Sequence, residues 1–449
     1  TPPAIIYNTA LYLKGEIQRC LVLCPASVKW TWYEELAKDL DPMFQSLSYV
    51  IEGTKAKRIE LLNKPGIFHI MNYESLRATI EETHEALQGL LYSFVGDECQ
   101  YIKNDSKRTM AVKSLFDSDN PPYRSILMSG TPVANTPIDV ARPVNMTTPG
   151  LLCRNMPDFY ERYTQQETAY KVNYLHGALE SICDKLARCS IRALRADCGF
   201  DFGLILDPQM LSMGERQNRI YRDIQTLLRA ELAGMDGFAT TVRVRSFLSQ
   251  TLKLVQVTDG FLYDNKGNAL WLPDKDNAKL KWLDGYINDY LPDIEKLVIF
   301  SRFKAVLRKL EDRYQKHGVV RVDGDVKKSK ERNQLVNRFQ NEKGCKIILM
   351  NTIVAMGMDL NPATFGVAYD RMFYLMPNEQ ADARITGINQ TGESTIMPLV
   401  CKDTVDEALV FKVLPKKREQ ADAVMGDHGK TTPKISGGIT YNDLLDLVG

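Results

Sequence analysis

The sequence predicts an α/β protein: two parallel sheets flanked by helices, with a helical insertion between them. Two features of the pattern predict it. Short β-rich apolar runs alternate with amphipathic stretches in residues 1–149 and again in 271–426, as expected of strand–helix–strand units on parallel sheets. Residues 150–270 keep the helical spacing but hold few strands, and 427–449 form a tail. At 449 residues and 44% hydrophobic, the chain can bury sizeable cores, in roughly two to four domains.

The elements follow in order. After Thr1, Pro2 and Pro3 are tolerated in a first helical turn, and Ala4-Ile5-Ile6 open an apolar pattern. CLVLCP (20–25) then reads as a strand and WTWYEELAKDL (30–40) as a helix. GIFHIMN (66–72) and SLRATIEETHEALQGLL (75–91) repeat the pair, and LYSFVGDE (91–98) and YRSILMSGTP (123–132) add two strands. The insertion is read from YERYTQQETAYKVNYLHGALESICDKLA and GERQNRIYRDIQTLLRAELAG. The second sheet is expected from KLVIFSRF (296–303), GVVRVDGD (318–325), CKIILMNT (345–352) and FGVAYDRMFYL (365–375). From Lys416 onward, Gly, Thr and charge mark a partly ordered end.

Composition excludes several classes. Lys+Arg 57 against Asp+Glu 56 leaves a net charge of +1, so nucleic acid would have to be met by a local patch rather than a global basic field. The nine cysteines form no C-x-x-C pair, which argues against a zinc module or disulfide framework and for reduced, intracellular thiols. The five histidines form no cluster. No apolar run approaches the roughly 20 residues that cross a bilayer, so no membrane is expected. The chain opens on TPPAII without an initiator Met, and a preceding segment is expected.

The chemistry is concentrated at strand ends. In FVGDECQYIKN (94–104) an apolar run stops at Asp97 and Glu98, where an open parallel sheet binds its ligands. An isolated Asp-Glu pair is ordinarily a turn or a helix cap. In a magnesium nucleotide site, the first acid holds Mg²⁺ and the second orients a water. Thr1 fits the same reading, because a phosphate loop GxxxxGK[ST] ends in a hydroxyl that binds Mg²⁺ and opens a helix. One strand further on, Ser129-Gly130-Thr131-Pro132 makes a hydroxyl-rich loop at the same sheet edge.

Taken together, LVLCPASVKWTWYEELAKDL, IMNYESLR, GDECQYIKN, LMSGTPVANTP, LVIFSRF, RVDGD, MNTIVAMGMDL, NEQADARITGINQTG and LVCKDTVDEAL occur in the order and rough spacing of a known family. The chain resembles the Swi/Snf-type ATPases of helicase superfamily two, from Thr1 to Gly426. That resemblance implies two RecA-like lobes with ATP between them and double-stranded DNA lying across both. Family roles fall on Thr1 and Asp97 for Mg²⁺ and on Glu98 for the attacking water. Ser129, Gly130, Thr131 and Gln380 would couple the lobes. Gly357 and Asp359 would approach the nucleotide, and Arg384 would reach the γ-phosphate. The DEAH-like box reads DECQ here, with both acids intact.

A translocating motor grips phosphates rather than bases, since it must pass every sequence. The expected contacts are Ser27, Lys29, Tyr73, Ser75, Lys103, Ser301, Arg302, Lys304 and Thr352. Trp30 and Trp32 stand at i and i+2 and share no helical face, so at least one is expected in the core. The family's last motif usually runs QAxDRxxRIGQ. Here QADARITGINQ (380–390) keeps Arg384 but puts Gly387 where a second arginine belongs, which leaves Arg384 or Arg371 to serve the γ-phosphate. The leading expectation is a DNA-dependent ATPase that translocates on duplex DNA. A nucleotide-dependent clamp with weak hydrolysis and an RNA-directed helicase of the same superfamily are the alternatives.

Overall fold

The computed structural model describes residues 1–168, 171–193, 204–233, 251–327, 329–355, 358–386 and 393–426. The chain divides into two compact units, one built mainly from Thr1–Thr164 and the other from Cys189–Ala423. Among the described residues, no helix is long and apolar enough to cross a membrane.

Unit 1 begins with helix α1 (Pro2–Leu13), which feeds strand β1 (Arg19–Cys24) and then helix α2 (Lys29–Asp39). Strands β2 (Ser48–Val50), β3 (Phe68–Asn72), β4 (Tyr92–Asp97) and β5 (Arg124–Met128) complete a five-stranded sheet in the order β2-β3-β1-β4-β5. Every pairing in it is parallel. All six residues of β1 are buried because helices cover both faces. Leu21 and Leu23 pack into one apolar cluster, Cys20, Val22 and Cys24 into another. From β1 the chain crosses to the edge strand β2, comes back through β3 beside β1, and then adds β4 on the opposite side. The carboxyl ends of β1 and β4 therefore flank the crevice where such sheets bind ligands.

The segment between the predicted sheets holds helices Met156–Tyr163, Ala178–Ala187 and Glu215–Ala233. It also holds strands that the sequence reading passed over. β6 (Thr164–Thr168) and β7 (Lys171–Tyr174) form one two-stranded ladder, β10 (Phe261–Tyr263) and β11 (Ala269–Trp271) another. β8 (Leu204–Leu206) and β9 (Gln209–Leu211) add to the second sheet. At three residues each, β8 to β11 are too short to show a period.

Unit 2 repeats the strand order of unit 1. β12 (Leu297–Ser301), β13 (Val319–Val322), β14 (Ile347–Asn351), β15 (Phe365–Ala368) and β16 (Ser394–Cys401) run β13-β14-β12-β15-β16, all parallel. The second, third, first, fourth and fifth strands thus lie side by side in both units. β8 and β9 pair in parallel with successive stretches of β16 at the sheet edge. Leu297 and Ile299 pack on one face of the sheet and Val298 and Phe300 on the other.

Beneath this sheet Lys279 is fully buried, with Nζ 2.8 Å from Asp259 Oδ1 and 2.8 Å from Asp406 Oδ2. Thr258 Oγ1 donates to the other Asp406 oxygen at 3.0 Å. The ammonium joins Asp259 to helix Ala278–Tyr290 and to the short helix Val405–Ala408 that follows β16. Gly260 follows Asp259 at φ +85°, and a Cβ there would lie 2.0 Å from Asn277 Nδ2, so only glycine fits. Replacing Lys279 by Met would strand two buried carboxylates. The expected outcome in urea unfolding is a loss of about 3–5 kcal/mol, and a loss below about 1 kcal/mol would show that the cluster is not a buried ion triad.

Candidate active site

Asp97 is the last residue of β4, beside Met128 at the end of β5. Its side chain is fixed from two directions. Oδ2 accepts the Trp32 indole N–H at 2.8 Å and Oδ1 accepts the Glu98 amide at 3.0 Å. The Tyr73 hydroxyl donates to the Asp97 main-chain oxygen at 2.7 Å and so holds the strand end. Burial pushes the Asp97 pKa up, against the Trp32 donor and the Glu98 amide, which lower it. Helix α1 packs Ala4 and Ile5 into the cluster that also holds Cys24 of β1 and Val95 of β4. Thr1 is exposed and caps α1 through its carbonyl, which accepts the Ala4 and Ile5 amides.

Glu98 stands in the left-handed region at φ 52°. A non-glycine residue held there costs energy and commonly marks a functional turn. The turn aims Glu98 at its own neighbour, since Oε2 accepts Gln100 Nε2 at 2.6 Å. Gln100 Oε1 in turn accepts the Ser129 hydroxyl at 2.8 Å, and Ser129 Oγ accepts the Thr131 amide at 3.0 Å. One hydrogen-bonded line therefore runs from the second acid to the hydroxyl loop after β5. Sequence reasoning noted Gln100 only as a departure from histidine. Its place two residues after the acids was the signal, because a side chain with both a donor and an acceptor can join two neighbours.

The other expected positions divide by exposure. Ser27 is exposed in the loop after β1. Lys29 is 8% exposed and pairs with Glu52 at 2.8 Å, and Lys103 pairs with Asp139 at 2.9 Å. Tyr73 and Ser75 are buried, and the Tyr73 ring stacks on Tyr101. Trp32 is 2% exposed and Trp30 50%, as their spacing required.

In unit 2, Asp370 stands two residues past the end of β15, the fourth strand of its sheet, and it is closed. One of its oxygens accepts the buried Ser301 hydroxyl, and both lie within reach of the Arg302 amide. The Arg302 guanidinium lies against Phe303 and Phe373. Thr352 is buried, and Lys304 pairs with Asp325 at 2.6 Å on the surface. Asp359 is exposed and accepts the Asn361 amide at 3.0 Å. Gln380 is buried in helix Leu375–Asp382, and its carbonyl accepts Arg384 Nε at 3.2 Å just past the helix end. Arg371 is 8% exposed with Nη1 on Asp382 at 2.7 Å. Gly357 and Gly387 lie outside the described residues.

Two sheets of one strand order, the first with an open acidic crevice wired to a hydroxyl loop, define the class of helicase-type ATPase cores. The SNF2-related domain matches residues 6–256 and the helicase conserved C-terminal domain matches 278–386. The chain belongs to the SNF2-related family. It is 24% identical over 454 residues to the mouse (Mus musculus) chromodomain-helicase-DNA-binding protein 1-like, covering 97% of this chain and 48% of that protein. Against the DNA repair and recombination protein RAD54 of Saccharomyces cerevisiae it is 22% identical over 450 residues, with coverage of 88% and 48%. The chain thus spans about half the length of these relatives. Among solved structures, the Sulfolobus solfataricus SWI2/SNF2 ATPase core in complex with dsDNA aligns with 94% of this chain and 86% of that one, at 22% identity and a TM-score of 0.42.

Gln100→Leu keeps the bulk but leaves Ser129 and Glu98 without their shared partner. Urea unfolding is expected to show a loss of about 1–3 kcal/mol, with Gln100→His, which keeps a donor and an acceptor, losing less. Equal stability of Gln100→Leu and the parent would mean that the line carries no load.

Proposed function

We propose that this chain is the ATPase core of a motor that hydrolyses ATP to move along double-stranded DNA. The observation that carries the reading is the line Glu98–Gln100–Ser129–Thr131 at the open crevice of unit 1. DNA as the track is supported by the relatives, a DNA-binding helicase and a DNA repair and recombination protein.

The residues at the crevice fit a hard divalent cation. Asp97 offers a half-buried carboxylate whose bonded donors are an indole and an amide, both neutral, and Thr1 would add a hydroxyl. Among the described residues, no three His, Cys, Asp or Glu side chains cluster as a metal cage. That suits Mg²⁺, which takes one or two protein oxygens and completes its shell with water and substrate phosphates. Bound there, it would neutralise charge on the phosphate oxygens. Glu98, its direction set by Gln100, orients the attacking water. Ser129, Gly130 and Thr131, with Gln380, transmit the state of the nucleotide. Gly357 and Asp359 contribute to nucleotide binding, and Arg384 serves the γ-phosphate. The burial of Arg371 in an ion pair favours Arg384 over it.

For the duplex, exposed Ser27 and the surface cation Lys304 are the direct contacts. Its pair with Asp325 is a surface pair, 44% and 38% exposed, and such pairs exchange partners at little cost. Lys29, Lys103, Tyr73, Arg302, Ser301 and Thr352 act mainly by holding the loops in shape.

In the full-length protein, long duplex DNA of any sequence is expected to stimulate hydrolysis, with an affinity that falls steeply as salt rises. Glu98→Gln is expected to bind ATP as before while turnover falls by about 10²-fold or more. Undiminished turnover in that variant sinks the role of Glu98, and equal stimulation by RNA sinks the choice of track. Arg384→Ala is expected to lose about 10³-fold in duplex-stimulated turnover with ATP binding kept, and normal hydrolysis would remove Arg384 from the γ-phosphate.

A further inference from the structure

Trp32 has a function that its burial does not explain. The ring packs in the core with Cys24, Phe68 and Val95, while its N–H reaches the Asp97 carboxylate 65 residues along the chain. A buried indole N–H needs an acceptor, and a main-chain carbonyl would serve. Here the acceptor is the carboxylate proposed to hold Mg²⁺. The choice of donor matters. A lysine or arginine at this place would fix the carboxylate but add a positive charge beside the incoming cation. The indole is a neutral donor with no other polar atom, so it fixes one oxygen and leaves the negative charge in place. With the Glu98 amide on the other oxygen, both ends of the carboxylate are held. Each oxygen keeps further lone-pair capacity for a cation.

We propose that Trp32 is a positioning residue for the divalent cation, orienting Asp97 through its indole N–H. The proposal rests on the reading of Asp97 as a metal ligand, and its test separates the two. In the full-length protein, the Trp32 side chain is replaced by benzothienylalanine, which keeps the shape and puts sulfur where the N–H was. The Kd of a fluorescent ADP analogue is measured in EDTA and in Mg²⁺, beside the melting temperature. The ratio of the two Kd values reports the metal's contribution to binding. That ratio is expected to fall about tenfold, the size expected for one hydrogen bond to a charged acceptor, with EDTA affinity unchanged and the melting temperature lowered by a few degrees at most.

An unchanged ratio overturns the proposal, as does a parallel fall in melting temperature and in both affinities, which would mark a purely structural ring. Asp97→Asn is the second arm. If it abolishes the metal-dependent gain while the benzothienylalanine protein keeps it, only the role of Trp32 falls. If Asp97→Asn itself keeps the gain, the metal assignment of Asp97 falls and the Trp32 proposal falls with it.

Discussion

The Asp97 carboxylate ends a strand whose preceding residues, Tyr92 to Gly96, are all buried, and burial raises its pKa. A charge taken out of water is costly unless something answers it, and its two bonded donors are uncharged. The surroundings of unit 1 follow from that constraint. Tyr73 braces the strand end through its carbonyl, and Trp32 and the Glu98 amide hold the two oxygens. The strained turn at Glu98 then places the second acid against Gln100, not solvent alone. Two neutral donors thus fix the carboxylate and add no positive charge beside it.

Unit 2 shows that topology alone does not make such a site. It has the same strand order, and it too places an aspartate after its fourth strand. Asp370, however, is satisfied by the Ser301 hydroxyl and the Arg302 amide, and it is sealed from solvent. Its neighbours Asp259, Lys279 and Asp406 carry the polar interior further down. The two acids thus differ in their surroundings: Asp97 is half-buried with an indole and an amide as its bonded donors, and Asp370 is closed by the Ser301 hydroxyl and the Arg302 amide. The difference lies in which side chains reach the strand end, and not in the sheet.

Much of this was legible before any coordinates. The eight predicted strands lie where their apolar runs stand, because a parallel strand covered on both faces is a continuous hydrophobic stretch with no competing pattern. β2 and β8 to β11, at three residues each, carry too little sequence to show a period. The acids and the hydroxyl loop were read from their place at strand ends, and Thr1 from its likeness to the last residue of a phosphate loop. The polar groups of Tyr73 and Ser301 turn inward to Asp97 and Asp370, a direction that residue type alone does not record.

The sequence by itself determined the two parallel sheets, the position of Asp97 and Glu98 at a strand end, and membership of a helicase-like family. These depend on periodicity and local order, which a linear string records. Only the tertiary structure decided that Trp32 holds Asp97, that Gln100 joins Glu98 to Ser129, and that Lys29 and Lys103 already have partners. Those pairings span from a few residues to 65, and a hydrogen bond is set by where two atoms come to rest in the packed chain. Residue type limits what a side chain can bond to, and packing selects the partner.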